Sequence, residues 1–256
     1  MSSKPNILLL VIDCLRADHV YEDGLAYVPA IRALMDRGFS FTNTIASTTT
    51  TTPSFASLLT GRYPIEHGVR THDGAKLSAS VRRLPQMLKT VGYHTYAEAC
   101  GPLGPEVGLD RGFDEYTHRG RREVITSAWG ETLRQKVATG HYESPWFLML
   151  HIWALHVPRQ IVAARRDARY GRTDYGRALS SIDLRLAPVL DLLPPDTLVV
   201  LTGDHGEEIA TGPIDHRIRH IRKEMFKFLR KHGLTRKHFS IGYRDCSEGH
   251  GFAIYD

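Results

Sequence analysis

The sequence lacks any long hydrophobic run. Its longest strongly apolar stretch near the start, residues 7–12, ends at Asp13 and is too short for a membrane-spanning helix or the core of a signal peptide. We therefore expect a cytoplasmic protein. With 42% hydrophobic and 24% charged residues, the 256-residue chain can bury a sizeable core, which excludes a disordered polymer.

Cysteine is also scarce, with three residues in all, Cys14, Cys100 and Cys246. Their number is odd and their spacing is wide, so they predict neither a disulfide framework nor a CxxC metal site. We expect buried or half-buried thiols. The net charge of +5 mildly favours anionic substrates or surfaces and carries no information about the fold.

Strand-like and helix-like segments alternate along the chain. Continuous apolar runs such as residues 6–13 are typical of strands buried on both faces, whereas residues 28–38 have helical spacing. The predicted strands are 6–13, 39–45, 93–99, 146–153 and 197–204, and the predicted helices are 28–38, 53–61, 81–92, 125–140 and 175–193. Residues 101–122, rich in Gly and charge, predict a loop. The alternation predicts an α/β fold with a mostly parallel sheet.

Chemically active residues follow three of the predicted strands. Asp13 ends the first, His151 and His156 lie where the middle strand ends, and Asp204-His205 ends the last. In open α/β sheets ligands bind beyond the carboxyl ends of the strands, and aspartate with imidazole suits a divalent cation. Any one such Asp is most simply a turn or helix-capping residue. Three loops carrying these groups together favour a cation site.

The run of threonines at 48–52 precedes a predicted helix. Pro53 fits the first helical position, which places Thr51 or Thr52 at the helix N-terminus, where a hydroxyl can cap the helix. The same position favours a bound anion, and a hydroxyl touching a metal there becomes a nucleophile. On spacing alone, capping is the stronger interpretation.

Eight segments, in order along the chain, carry a family resemblance. They read KPNILLLVIDCLRADH, VPAIRALMDRGFSFTNTIAS, TPSFASLLTGRYPIEHGV, LDRGFDEY, LHIWALHVP, DYGRALSSIDLRLAPVLDLL, LVVLTGDHGEE and GHGFAIYD. Together they resemble the sulfatase branch of the alkaline phosphatase superfamily over nearly the whole chain. The resemblance implies a three-layer αβα sandwich around a mostly parallel sheet, forming one catalytic domain over residues 1–256. It also implies a chain that lacks the usual C-terminal part, because relatives continue where this sequence stops.

The resemblance carries site roles onto matching positions. Pro53 and Ser54 set the register, so that the nucleophile position of the family falls on Thr51. Asp13, Thr51, Asp204 and His205 fall on positions that bind one divalent metal ion, which could be Ca, Mg, Mn or Zn. His156 and His250 fall on histidines that contact the substrate or protonate the leaving group.

Two departures from the family pattern change the expected chemistry. Sulfatases of this kind convert a Cys or Ser nucleophile to formylglycine, which Thr51 cannot become by that route, and Phe55 replaces the arginine of that signature. A threonine at this position resembles the nucleophile of other enzymes of the superfamily. These are the phosphodiesterases, the phosphonate hydrolases and the phosphoethanolamine or glycerophosphate transferases. In addition, Cys14 replaces a second acidic metal ligand.

We therefore predict a metal-dependent hydrolase or transferase that acts on phosphoric, phosphonic or sulfuric esters through Thr51. Phosphodiester or phosphonate chemistry is favoured over sulfatase activity, and the substrate is a small anionic ester. The alternative is a catalytically degenerate domain that binds an anionic ligand or partner.

A basic segment separates the last two motifs. The predicted insert at about 212–240 places Ile218, Ile221, Met225, Phe228 and Leu229 on one helical face, with Arg and Lys elsewhere. It suits a lid over the site or, alternatively, a membrane surface. Nucleic-acid binding is not expected, because no binding motif or aromatic platform accompanies the charge.

Overall fold

A computed structural model describes residues 4–71, 74, 76–209, 221, 224, 225 and 228. Five parallel strands form one sheet in the order β3-β2-β4-β1-β5. Their bounds are β1 Ile7–Ile12, β2 His94–Cys100, β3 Glu115–Arg119, β4 Trp146–Ile152 and β5 Leu198–Gly203. The predicted α/β class with a parallel sheet is confirmed.

The apolar runs of β1 and β4 lie side by side within the sheet, and their side chains are buried on both faces. β1 pairs with β4 from Ile7–Phe147 to Ile12–Ile152, and on its other side with β5 up to Ile12–Gly203. Parallel strands in register end at the same edge, so the residues that follow β1, β4 and β5 are neighbours.

Seven α-helices connect the strands and cover both faces of the sheet. They are α1 Asp18–Tyr21, α2 Pro29–Arg37, α3 Thr51–Thr60, α4 Pro64–His67, α5 Leu84–Thr90, α6 Ala128–Ala138 and α7 Asp174–Leu190, within the part of the chain described. One hydrophobic cluster joins α2, α6 and α7 to one face of β1 and β4. A second joins α3 and α5 to the opposite face. The three-layer αβα arrangement expected from the resemblance is therefore present.

Two predicted elements were wrong in position or kind. The segment 39–45 is not a strand, and Phe39, Phe41 and Ile45 are 96%, 78% and 87% exposed. Its alternating pattern requires a pairing partner, and none of the described strands provides one. Helix α3 begins at Thr51, so Pro53 is its third residue rather than its first. Proline is tolerated there because the first four N–H groups of a helix have no partner within it.

β3 was not predicted, since Glu115–Arg119 contains neither an apolar run nor an alternating one. Burial of Cys14 and Cys100 agrees with expectation. Among the described residues, no helix has the length and hydrophobicity that crossing a bilayer requires.

The basic insert lies almost entirely outside the described residues. Within it, Ile221, Met225 and Phe228 are helical and exposed, as part of the predicted apolar face. The rest of that face, and His250, lie outside the description.

Candidate active site

Four buried polar residues meet at the carboxyl edge of the sheet. Asp13 follows β1, Asp204 and His205 follow β5, and Thr51 is the first residue of α3. The Ser54 hydroxyl in α3 donates to the Asp204 carbonyl at 2.6 Å, which ties the helix to the end of β5. The structure thus brings together every described residue for which metal binding was predicted.

The Thr51 side chain faces the cluster rather than capping its helix. Its Oγ1 is 3.1 Å from Asp13 Oδ2 and 3.2 Å from His205 Nε2, and the residue is fully buried. The N-cap residue of α3 is Thr50, and within the described chain its side chain makes no capping hydrogen bond. The Thr51 hydroxyl therefore lies beside two groups that can accept its proton.

The orientation of the His205 ring follows from its backbone contact. Nδ1 is 2.8 Å from the Gly206 carbonyl oxygen, which can only accept, so Nδ1 carries a proton. In the neutral ring, Nε2 then presents a lone pair to Thr51. Burial alone would lower the pKa of His205, but the charges of Asp204 and Asp13 outweigh it and raise that pKa.

The two carboxylates of the cluster have opposite pKa shifts. Burial and the charge of Asp13 raise the pKa of Asp204 above its usual value. Burial would also raise the pKa of Asp13, but a hydrogen bond with His151 and the charge of His205 outweigh burial and lower it. Two like charges at one buried site disfavour joint ionisation unless a cation accompanies them.

Asp204 provides a direct test of whether a cation fits. Its Oδ1 accepts from the backbone N–H groups of Cys14 at 3.1 Å and His205 at 2.9 Å. Its Oδ2 is buried without a hydrogen-bond donor among the described residues, and the His205 Nε2 atom is 3.4 Å away. A buried carboxylate oxygen in this state is suited to a metal ion.

Two further residues belong to the cluster, although the predicted ligand set did not include them. His151, fully buried in β4, has Nε2 at 3.3 Å from Asp13 Oδ2 and Nδ1 at 3.2 Å from the Cys100 carbonyl oxygen. The Cys14 Sγ atom is 2.8 Å from Asp13 Oδ1. His151 stands out in the sequence because it is an imidazole within a strand of apolar residues, and this marks it as a candidate ligand. The sequence did not indicate the direction of the Cys14 thiol.

Ligand atoms from these residues form two overlapping groups. Asp13, Cys14 and His205 offer one, and Asp13, His151 and Asp204 offer the other, with the ligand atoms of each group within 4.8 Å of one another. Carboxylate, imidazole and thiol are all metal-binding groups, so the residues fit one divalent ion. Phe55, which replaces the arginine of the family signature, is buried in the core and packs edge-on against His151 at 4.8 Å.

His156 lies beside the cluster and has its own set of contacts. Its ring stacks on Trp153 at a centroid distance of 4.0 Å, and its Nδ1 is 2.7 Å from the Val157 carbonyl oxygen. It lines a cavity of about 190 Å³ together with Arg121, Arg122 and Trp153. Burial lowers the pKa of His156, and the charge of Asp13 acts in the opposite direction.

Comparison with known proteins supports the resemblance read from the sequence. The family model described as Sulfatase matches residues 5–227. The N-acetylgalactosamine-6-sulfatase of Sus scrofa is 27% identical over 275 residues, an alignment covering 82% of this chain and 51% of the relative. The chain thus spans about half the length of that curated relative.

Solved structures give the same fold. A protein in the alkaline phosphatase superfamily from Vibrio parahaemolyticus has a TM-score of 0.63 at 21% identity, covering 84% of this chain and 59% of that chain. The phosphonate monoester hydrolase of Agrobacterium radiobacter has a TM-score of 0.62 at 18% identity, covering 80% and 63%. With a family model matching most of its residues, this chain belongs to the sulfatase family.

Proposed function

We propose that this chain carries the catalytic centre of a metal-dependent hydrolase of anionic esters, with Thr51 as the nucleophile. The observation that carries the proposal is the position of the Thr51 hydroxyl, which is fully buried between Asp13 Oδ2 and His205 Nε2. Contact with a carboxylate and an imidazole is the arrangement expected of an activated nucleophile.

Asp13, Asp204 and His205 would hold the metal, with His151 and Cys14 within reach of the same atoms. When bound, the ion supplies Lewis-acid stabilisation of the charge that develops on the ester oxygens. Thr51 lies at the start of α3, so the positive end of that helix favours an anionic substrate group at the same place.

In the proposed first step, the Thr51 hydroxyl loses its proton to solvent and Oγ1 forms a bond to phosphorus. The leaving oxygen departs with its bonding electrons and takes a proton from His156. Water then attacks phosphorus and gives a proton to His156, the Thr51–phosphorus ester bond breaks, and Thr51 Oγ1 regains a proton from solvent. Another alcohol in place of water would make the same reaction a transfer.

Phosphoric and phosphonic esters are the favoured substrates. A threonine ester has no second hydroxyl on the same carbon, so it can be cleaved only by attack on the central phosphorus or sulfur atom. Such two-step substitution is well suited to phosphorus, which supports phosphodiester or phosphonate chemistry. Because the relative from Sus scrofa is named as a sulfatase, hydrolysis of sulfate esters must be measured beside that of the phosphorus esters.

The test is hydrolysis of p-nitrophenyl phosphodiesters, phosphonates and sulfate by the purified chain with Mn²⁺, Mg²⁺, Ca²⁺ or Zn²⁺. We expect Thr51→Ala to reduce the rate by at least about 100-fold, while Thr51→Ser retains part of it. Thr49→Ala is the matched control, because it changes a half-buried threonine of the same run and should keep the rate.

If Thr51→Ala has full activity, Thr51 is not the nucleophile. If only the sulfate ester is hydrolysed, the proposed preference for phosphorus esters is wrong. If no ester turns over and no divalent ion raises the melting temperature, the degenerate anion-binding alternative applies.

A further inference from the structure

Asp13 and Cys14 are adjacent in sequence, yet both side chains point into the same cluster. In an extended strand, consecutive side chains point to opposite faces of the sheet. Cys14 departs from this rule because its φ is +60°, and among the described residues it is the one non-glycine with positive φ. The left-handed backbone turns its Sγ back to within 2.8 Å of Asp13 Oδ1.

Contacts from distant parts of the chain hold Cys14 in this conformation. Its N–H donates to Asp204 Oδ1 at 3.1 Å, and its carbonyl accepts from the Tyr175 hydroxyl at 2.6 Å. A left-handed conformation is unfavourable for a residue with a Cβ, because the Cβ lies too close to the following carbonyl oxygen. The fold thus maintains an unfavourable backbone state whose effect is to direct a thiol at the Asp13 carboxylate.

A separate observation indicates that a cation belongs at this point. Asp204 Oδ2 is buried and has no hydrogen-bond donor within the described chain. Ligand atoms of Asp13, Cys14 and His205 lie within 4.8 Å of one another beside it, and all three residues are buried. Thiolate with imidazole and carboxylate is a donor set typical of Zn²⁺, whereas Mg²⁺ and Ca²⁺ take oxygen ligands.

We propose that Cys14 is a thiolate ligand of the active-site metal and that its sulfur selects Zn²⁺ over Mg²⁺ and Ca²⁺. The inference rests on the metal site of the proposed function and adds to it the class of ion. On binding, the sulfur–metal bond replaces the S–H bond, and the thiol proton leaves to solvent. Cys14 therefore does more than replace the carboxylate that the family pattern has at this position.

The sequence allows an experiment in which only one thiol remains. With three cysteines in the chain, the Cys100→Ser/Cys246→Ser variant keeps Cys14 alone. We expect its Zn²⁺ complex to show a zinc–sulfur distance of about 2.3 Å by X-ray absorption. Its Co²⁺ complex should show near-ultraviolet sulfur-to-cobalt charge transfer. Neither readout depends on catalytic activity.

Cys14→Ser tests the same sulfur by its removal. We expect loss of the charge-transfer absorption and a fall in Zn²⁺ affinity of more than about 100-fold, since outer-shell changes alone cost 10–100-fold. Cys100→Ser is the matched control, because Cys100 is also buried but belongs to neither ligand group. If Cys14→Ser does not fold, X-ray absorption of the wild-type chain and of the Cys14-only variant still shows whether zinc is bonded to sulfur.

A zinc shell of oxygen and nitrogen alone, or greater stabilisation of the wild-type chain by Mg²⁺ or Ca²⁺ than by Zn²⁺ at equal concentration, would overturn the proposal. Its failure is distinguishable from failure of the proposed function. If esters are hydrolysed and the metal has only oxygen and nitrogen ligands, the thiolate proposal is wrong and the proposed hydrolase function stands. If a zinc–sulfur bond is present and no ester is hydrolysed, the thiolate proposal stands and the proposed hydrolase function is wrong.

Discussion

At the scale of single residues, His156 is positioned by neighbours that the sequence did not identify. Its ring stacks on Trp153, and Trp153 in turn lies against Gly101, whose φ is +67°. A Cβ on Gly101 would approach the Trp153 ring to 2.6 Å. The family motif predicted His156 itself, but the three-residue stack depends on backbone angles and loop contacts that residue spacing does not encode.

We expect Gly101→Ala to destabilise the fold by at least about 2 kcal/mol, because left-handed strain and overpacking against Trp153 add together. Gly140→Ala is the control, since Gly140 also has positive φ (+69°) but a Cβ there meets no described atom within 4 Å. It should cost about 1 kcal/mol. Urea unfolding measures the free energy of unfolding of both variants. Equal losses would show that the Trp153 ring moves aside without a measurable energetic cost.

Asp18 gives a pH dependence at a site away from the cluster. Burial would raise its pKa, but hydrogen bonds from Arg16 and His19 outweigh burial and lower the pKa to about 2. A lowered acid pKa stabilises the fold above the unfolded pKa of about 4, and this stabilisation is lost as pH falls towards 2.

We therefore expect Asp18→Asn to cost about 1 kcal/mol at pH 6, after allowance for partial solvent screening, and almost nothing near pH 2. The control is Asp23→Asn, which breaks an exposed ion pair with Arg32 and should change stability little at any pH. Denaturant unfolding of the two variants from pH 2 to 7 measures the difference. A pH-independent loss for Asp18→Asn would contradict the assignment.

At the scale of elements, the predictable strands were the ones with a pattern. β1 and β4 come from continuous apolar runs and are buried on both faces. β5 is an apolar run at the sheet edge whose residues are half-buried or exposed, and β2 is a mixed but mostly buried segment. β3 has only charged and polar residues with one aromatic, and it is a strand because β2 provides its hydrogen bonds. The opposite error occurred at 39–45, where a strand-like pattern has no described partner.

Helix α2 shows an element whose end is completed by a distant one. Its N-cap residue, Val28, has no side-chain group to cap it, and Asp183 in α7 accepts from Ala30 N at 3.2 Å and from Ile31 N at 2.9 Å. Asp183→Ala leaves two helix N–H groups without this acceptor, and we expect a loss of about 2 kcal/mol.

Asp183→Asn should give an intermediate loss, because one acceptor oxygen remains. Asp191→Ala, at the exposed C-terminal end of α7, is the control and should change little. Urea unfolding compares the three variants, and an Asp183→Ala value equal to that of Asp191→Ala would mean that water replaces the cap.

At the scale of the whole molecule, the site is assembled from both ends of the described chain. Cys14 and Asp204, which share a hydrogen bond, are 190 residues apart. Their convergence could be predicted, because parallel strands deliver their following residues to one edge. What could not be predicted is the left-handed turn at Cys14, the ring orientation of His205 and the buried oxygen of Asp204. Each of these results from packing between segments rather than from local sequence.

The proposed metal site would couple metal binding to global stability through Asp204. Without a cation, its carboxylate is buried near that of Asp13 and destabilises the fold. Asp204→Asn keeps one acceptor oxygen for the N–H groups of Cys14 and His205 but removes the charge. In EDTA we therefore expect the variant to melt higher than the wild-type chain, by a few degrees for each kcal/mol gained.

With Zn²⁺ at about 100 times its Kd, the wild-type chain should gain about 2.7 kcal/mol of stability, and Asp204→Asn should gain little. The order of melting temperatures would then reverse between EDTA and metal. Asp191→Asn, an exposed change of the same kind, should follow the wild-type chain in both conditions. Scanning calorimetry measures all three proteins. An equal metal-dependent rise for Asp204→Asn would show that Asp204 is not a ligand, and its charge would then be a cost of folding that no cation offsets.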